Sequence, residues 1–151
     1  MNDRNRDENT RRITLFETCV NLGDLDLLDE LVSSDYVGLQ GGRGPAGFKE
    51  IVVGLRTAFA DIRDTIEDII AEDDKIAVRW TWSGTHQGAF RAFGPTGETV
   101  LNTGAGIFRL EAGTIVAAAL DTDRRGFLQQ AGALPADIAT ALPAALAAAK
   151  P

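Results

Sequence analysis

Apolar residues in the first third of the chain recur with the period of an α-helix. Ile13, Phe16 and Val20 stand at positions i, i+3 and i+7, which places them on one face of a helix that Gly23 is suited to end. Asp24 is suited to cap a second helix. The apolar stripes of the second and third helices are Leu25, Leu28, Leu31 and Val32, and then, after Pro45, Phe48, Val52, Leu55 and Phe59. The pattern predicts three helices before residue 60.

After residue 60 the period changes to two, as expected for β-strands. Ile76, Val78, Trp80 and Trp82 alternate with other residues and therefore share one face of a strand. Four strands are predicted, at residues 63–71, 75–86, 99–110 and 114–122. Helices followed by antiparallel strands predict an α+β class, in which a curved sheet wraps around the helices. We expect the functional site in the cavity that the helices and sheet enclose.

The chain reads as one domain, residues 13–132, with two flanking segments. Residues 1–12 are polar and of mixed charge, which predicts a flexible N-terminal arm. Residues 133–151 form a tail rich in alanine and proline, to which we assign no function.

Composition excludes several classes of function. The 151 residues carry a formal net charge of −7, and an acidic protein repels the phosphate backbone of nucleic acids. Cys19 is the only cysteine, so no intrachain disulfide can form, and its place among apolar helical positions predicts a core residue. No apolar run reaches membrane-spanning length and the first dozen residues lack the features of a signal peptide, so we expect a cytoplasmic protein with no membrane partner.

Several sequence motifs lie at residues 24–36, 44–59, 66–88, 93–97, 106–109 and 126–130, with Gly113, Asp123 and Gly132 beside them. In their order and spacing they resemble the SnoaL-like polyketide cyclases of the nuclear transport factor 2-like superfamily. The resemblance implies a cone-shaped barrel in which N-terminal helices pack against a strongly curved, mainly antiparallel sheet. The resemblance implies a cofactor-independent and metal-free enzyme of antibiotic or other secondary metabolism. Such an enzyme closes a ring of an aromatic polyketide by an intramolecular aldol reaction. It also implies a hydrophobic, polycyclic aromatic ligand and assembly as a homodimer or homotetramer.

The sequence departs from the family at the catalytic positions. In simple register the family's acid falls on Leu120, and its glutamine and histidine fall on Gly104 and Gly106. Asp121 is the nearest carboxylate to the lost acid. Strict alternation places Asp121 on the opposite face from Leu120, whereas a bulge would turn it into the cavity as acid/base.

Other candidate residues have two interpretations each. His86 is the only histidine, either a structural hydrogen-bonding group or a second catalytic group. Trp80 and Trp82 form either core or a stacking surface for an aromatic ligand. Tyr36 and Asn102 are predicted to hold ligand oxygens. Leu120, Gly104 and Gly106 are predicted to line the substrate site, the glycines allowing either a sharp bend in the sheet or an enlarged pocket.

Three hypotheses of function follow. The first is an enzyme with the family fold and a remodelled site, which cyclises, hydroxylates or rearranges a polycyclic substrate. The second is a non-catalytic module that binds a hydrophobic small molecule. The third, an epoxide-opening hydrolase, needs an aspartate–arginine–aspartate group, for which Arg79 or Arg109 would supply the cation; structural ion pairing is the alternative for both arginines.

Overall fold

The computed structural model describes residues 3–38, 42–90 and 93–132, so the predicted tail lies outside the described residues. Its elements are α1 (Asp3–Leu22), α2 (Asp26–Leu31), α3 (Ala46–Ala58), β1 (Arg63–Glu72), β2 (Lys75–Thr85), β3 (Thr99–Glu111), β4 (Thr114–Thr122) and α4 (Arg124–Gln130). The three N-terminal helices and four strands confirm the α+β prediction, and each strand ends within one residue of its predicted bounds.

The first helix is longer than predicted. It begins at Asp3, so the described part of the predicted flexible arm is helical. Glu8 pairs with Arg11 at 2.9 Å and with Arg12 at 3.4 Å, which are the i+3 and i+4 neighbours on the helix surface. Such pairs support a polar helical turn that has no apolar stripe, and a prediction based on apolar spacing alone therefore missed it.

The sheet is an antiparallel meander in which every strand pairs with its neighbours in the chain, in the order β1-β2-β3-β4. The register shifts between Ile66 and Asp68 in β1 and between Arg109 and Leu110 in β3. Such irregularities bend strands and increase their twist, which suits a curved sheet. The segment after α2 approaches the β4 edge, where the Ser33 N–H donates to the carbonyl of Ile115 at 2.9 Å.

The core lies between the helices and the inner face of the sheet, in two clusters. The first cluster gathers α1, α2 and α3 against Ile76, Val78 and Phe108. The second surrounds Phe59 and Trp82 and includes Phe127 of α4. Trp80 and Val20 pack against both clusters and so connect them.

The seven-residue helix α4, which was not among the predicted helices, follows the last strand. Asp123 precedes it, and its Oδ1 accepts a hydrogen bond from the Gly126 N–H at 2.8 Å. Asp123 is therefore a helix cap.

Candidate active site on the inner face of the sheet

Strand register places polar and aromatic residues in one row across the inner face. Asp64 of β1 lies directly opposite Trp82 of β2, and Trp82 lies opposite Asn102 of β3. Directly paired residues project from the same face of a sheet. Trp82 is 6% exposed and Asn102 is 7% exposed, which identifies this as the covered face.

The neighbouring side chains explain why β3 has glycine at positions 104 and 106. Trp80 lies opposite Gly104, and a side chain on Gly104 would collide with the indole of Trp80. A side chain on Gly106 would collide with Leu120 and lie 3.0 Å from the carbonyl oxygen of Ala119. The glycines thus accommodate the ring of Trp80 and the side chain of Leu120. The volume that they release is filled by protein, so they do not enlarge the pocket as one of our two interpretations required.

Asp121 does not face the helix-covered interior. It pairs with Ala105 and is exposed, whereas its neighbour Leu120 is half-buried opposite Gly106. The register shift in β3 occurs at Arg109, before the pairs that contain Leu120 and Asp121, so alternation holds here. Asp121 lines an open surface hollow of about 650 Å³ at the β4–α4 junction. The proposed acid/base role for Asp121 therefore has no structural support, because solvent rather than a closed cavity surrounds the carboxylate.

The side chain of His86 is completely buried, and only one of its two ring nitrogens has a hydrogen-bond partner among the described residues. Its Nδ1 lies 3.1 Å from the Thr96 hydroxyl, and its ring stacks on Phe59 with centroids 5.3 Å apart. Within the described part of the chain, Nε2 has no hydrogen-bond partner. A buried polar atom without a partner is costly, so a hydrogen bond to Nε2 would stabilise the protein.

Asn102 and Tyr36 are both buried but lie in different surroundings. The Asn102 side-chain oxygen accepts a hydrogen bond from the Thr103 N–H at 2.9 Å, which directs the side-chain NH₂ away from that contact. Tyr36 packs on Phe48 with centroids 5.0 Å apart, and burial raises the pKa of its phenol. Tyr36 belongs to the first core cluster, whereas His86 stacks within the second. The structure therefore brings together only some of the predicted site residues.

The sequence analysis missed a pair of carboxyl groups between α1 and β1. Asp64 is half-buried on the inner face, and Glu17 of α1 lies near it. Desolvation, followed by the negative charge of Glu17, raises the pKa of Asp64 to about 7. Two signals were available: Asp64 has the same strand parity as Ile66, and Glu17 follows Ile13 by four residues on the apolar face of the first helix.

Arg79 of β2 and Arg109 of β3 form ion pairs with solvent-exposed acidic side chains. Arg79 bonds Asp68 at 2.7 Å with both side chains exposed, and Arg109 pairs with Glu111. Both arginines therefore have the structural ion-pairing role that was one of the two interpretations offered for them. Neither arginine forms the aspartate–arginine–aspartate group that an epoxide hydrolase needs.

Two further features bear on the kind of site. Among residues 3–38, 42–90 and 93–132, no group of three histidine, cysteine or acidic side chains is arranged to hold a metal ion. None of the helices in these ranges is both long and apolar enough to cross a membrane.

Comparison with known proteins identifies the family. The model of the SnoaL-like polyketide cyclase family matches residues 10–131. TsrD from Streptomyces laurentii is 25% identical with a TM-score of 0.80, covering 85% of this chain and 98% of its own. AclR, a proposed hydroxylase from Streptomyces galilaeus, is 28% identical with a TM-score of 0.77, covering 95% and 94%.

A proposed polyketide cyclase from Acidithiobacillus ferrooxidans is also 28% identical, with a TM-score of 0.72 and coverage of 83% of this chain and 94% of that one. A comparison with curated protein sequences finds no match. The family model covers most of the chain, and the solved structures share its fold nearly end to end. The chain belongs to the SnoaL-like polyketide cyclase family of the nuclear transport factor 2-like superfamily.

Proposed function

We propose that this protein is a cofactor-independent enzyme of secondary metabolism that acts on a polycyclic aromatic polyketide. The observation that carries the proposal is Nε2 of the fully buried His86, which has no hydrogen-bond partner among the described residues and lies in the same aromatic cluster as Trp82. A flat ligand offers ring faces to indoles and oxygens to such donors. The interior therefore matches the chemistry of an oxygen-bearing aromatic molecule.

The polar groups of the interior suit enolate chemistry. Removal of a proton beside a ketone leaves negative charge on the carbonyl oxygen, which hydrogen-bond donors stabilise. The side-chain NH₂ of Asn102 is a donor, and Nε2 of His86 is a donor in one of its two tautomers. Cyclisation, hydroxylation and rearrangement of a polyketide can all pass through such an enolate. The likeness to AclR, a proposed hydroxylase, supports a reaction other than aldol closure.

A non-catalytic binding module is the second candidate function. It is favoured by the outward position of Asp121, and by Leu120 at the position where the resemblance implies the family's acid. On this reading the interior would hold an aromatic ligand without transferring a proton. The two candidates agree on the ligand and differ in whether bond changes occur.

One pair of measurements separates the two candidates. Quenching of tryptophan fluorescence by 1,8-dihydroxyanthraquinone reports binding of a flat aromatic probe. Proton NMR in D₂O with EDTA reports exchange of the benzylic protons of 2-tetralone, a bicyclic ketone. Quenching together with protein-accelerated exchange supports the enzyme, whereas quenching without exchange supports the binding module. Absence of both contradicts a polyketide-like ligand.

A matched pair of variants tests whether the proton exchange occurs in the interior. Asn102→Leu removes an inward-facing amide, whereas Thr103→Val alters the next residue, which is exposed on the outer face of the same strand. We expect the first variant to slow exchange by about tenfold or more, since one donor to an oxyanion contributes on the order of 10²-fold in favourable sites. The second should leave the rate unchanged. Equal effects of the two would contradict the inner face as the site.

The outer face supports the predicted self-association. Ile70, Ala77, Ile107 and Ala119 pair in one row across all four strands, and Ile70 and Ile107 are exposed. Apolar rows of this kind commonly mark protein interfaces. We propose that this face joins copies of the chain in a homodimer or homotetramer. Light scattering of the wild type and of Ile107→Lys tests this: a monomer in both would contradict it.

A further inference from the structure

Hydrogen bonds join α1 side chains to the β1 backbone next to the two carboxyl groups. The Asp64 N–H donates to the Asn21 side-chain oxygen at 2.6 Å, and the Asn21 side-chain nitrogen donates back to the Asp64 carbonyl at 2.9 Å. Glu17 accepts a hydrogen bond from the Ile66 N–H at 2.7 Å. The Glu17 carboxylate is therefore bonded to the β1 backbone, and Asn21 joins the backbone of Asp64 to α1.

The surroundings favour a proton on this pair. From α1, the titratable group that faces Asp64 is Glu17; on β2, the residue opposite is the uncharged Trp82. The nearby Arg56 of α3 donates to the carbonyls of Val20 and Asn21, at 3.0 and 2.7 Å. Desolvation and the neighbouring negative charge of Glu17 oppose ionisation of Asp64 and raise its pKa to about 7. A carboxyl group with this behaviour exchanges protons readily with a bound molecule.

The row of paired residues across the sheet places Asn102 at a distance from Asp64 that one ligand could span. Asp64 and Asn102 are separated by two strand spacings, about 10 Å between backbones, with Trp82 between them. An aromatic ketone of two or three rings spans a similar distance. A ligand that reached both ends of this row would place one edge at the Asp64 carboxyl and another at the Asn102 amide.

We propose that Asp64 is the catalytic residue that transfers protons in the interior site, in place of the acid that Leu120 replaces, and that Glu17 positions and tunes it. The proposal rests on the proposed function, since it assumes that an enolisable aromatic ketone enters the interior. Asp121 plays no part in it.

The proposed step balances without any co-reactant. The Asp64 carboxylate removes a proton from carbon next to the ketone, the C–H electron pair forms the enolate double bond, and the carbonyl π pair moves to oxygen. Asn102 donates a hydrogen bond to that oxygen. In cyclisation, the enolate carbon forms a C–C bond with a second carbonyl of the same molecule, and Asp64 returns its proton to the new alkoxide. Without a second carbonyl, solvent exchanges the proton on Asp64, and a deuteron returns to carbon.

The test uses 2-tetralone exchange in D₂O with three variants. Asp64→Asn should reduce the protein-dependent rate by about a hundredfold or more, the usual contribution of a general base. Asp68→Asn changes an exposed aspartate of the same strand that is paired with Arg79, and should leave the rate unchanged. Asp121→Asn should also retain the rate. Loss of exchange in Asp121→Asn with retention in Asp64→Asn would overturn the proposal.

The pH profile separates proton transfer from a structural role. In the wild type, the exchange rate should rise through an apparent pKa of about 7, as Asp64 ionises. Glu17→Gln removes a negative charge and should move this inflection to lower pH while the protein stays folded and active. An inflection that stays in place in Glu17→Gln would contradict the pairing of the two acids.

The outcomes also distinguish this inference from the proposed function. If the wild type exchanges 2-tetralone and Asp64→Asn does so equally well, the enzyme stands and Asp64 is not its base. If the wild type binds the anthraquinone but gives no exchange, the enzyme itself fails, and the inference about Asp64 fails with it.

Discussion

Replacement of Asp64 by asparagine should make the protein more stable at alkaline pH. Desolvation and the charge of Glu17 raise the pKa of Asp64 from 3.8 to about 7 in the folded protein. Between these values the folded state holds a proton that the unfolded chain releases. A group with a raised pKa contributes stability that is fully present below the unfolded pKa and is lost as pH rises through the folded one. The stability of the wild type should therefore fall between pH 5 and pH 8.

The size of this loss follows from the two pKa values. At pH 5 the folded Asp64 is protonated and the unfolded one is mostly ionised, whereas at pH 8 both are ionised. At about 1.4 kcal/mol for each pKa unit, this site alone lowers the free energy of unfolding by about 2–3 kcal/mol between the two pH values. Asparagine cannot ionise, so Asp64→Asn removes this part of the pH dependence. The contributions of the acids that do not interact with Asp64 are common to both proteins and cancel in the comparison.

Urea denaturation at pH 5 and pH 8 measures the effect. The decline in unfolding free energy should be about 2–3 kcal/mol smaller in Asp64→Asn than in the wild type. The control Asp68→Asn removes an exposed acid of the same strand and should decline like the wild type. Equal declines in wild type and Asp64→Asn would refute the reasoning, because they would show that the carboxyl group is as well solvated in the folded protein as in the unfolded chain.

Two further predictions concern the core. Gly104→Ala should destabilise the protein by about 1–3 kcal/mol in urea denaturation, since the new methyl group overlaps the indole of Trp80. The added change Trp80→Phe should recover part of this loss, and a double variant as unstable as the sum of its parts would contradict the contact. Burial, assisted by the charge of Asp24, raises the pKa of the Cys19 thiol to about 11, so native protein should react with a thiol reagent at pH 8 far more slowly than protein in urea. Equal rates in the two conditions would show that the thiol is accessible.

Much of the fold was readable from the periodicity of apolar residues. Spacings of three and four predicted the helices, and strict alternation predicted the strands to within one residue of their ends. The alternation of Leu120 and Asp121 also indicated that only one of them faces inward. The first turns of α1 were missed because ion pairs on a polar surface, rather than an apolar stripe, support them.

The candidate site was less predictable, because a site is formed by residues that are distant in sequence. Glu17 and Asp64 come together only because α1 packs on β1. No residue near either of them in the sequence indicates that the two meet. Likewise, Gly104 showed that a side chain was absent, but not that the indole of Trp80 fills the space.

The sequence by itself determined the three N-terminal helices in outline, the strands and the family, since these depend on local spacing and on motifs that are contiguous along the chain. The tertiary structure decided which inward-facing groups meet, which are desolvated and which remain without a partner. Those properties depend on distances and on the exclusion of water across packed elements. They identify Asp64 rather than Asp121 as the acidic side chain that the interior holds.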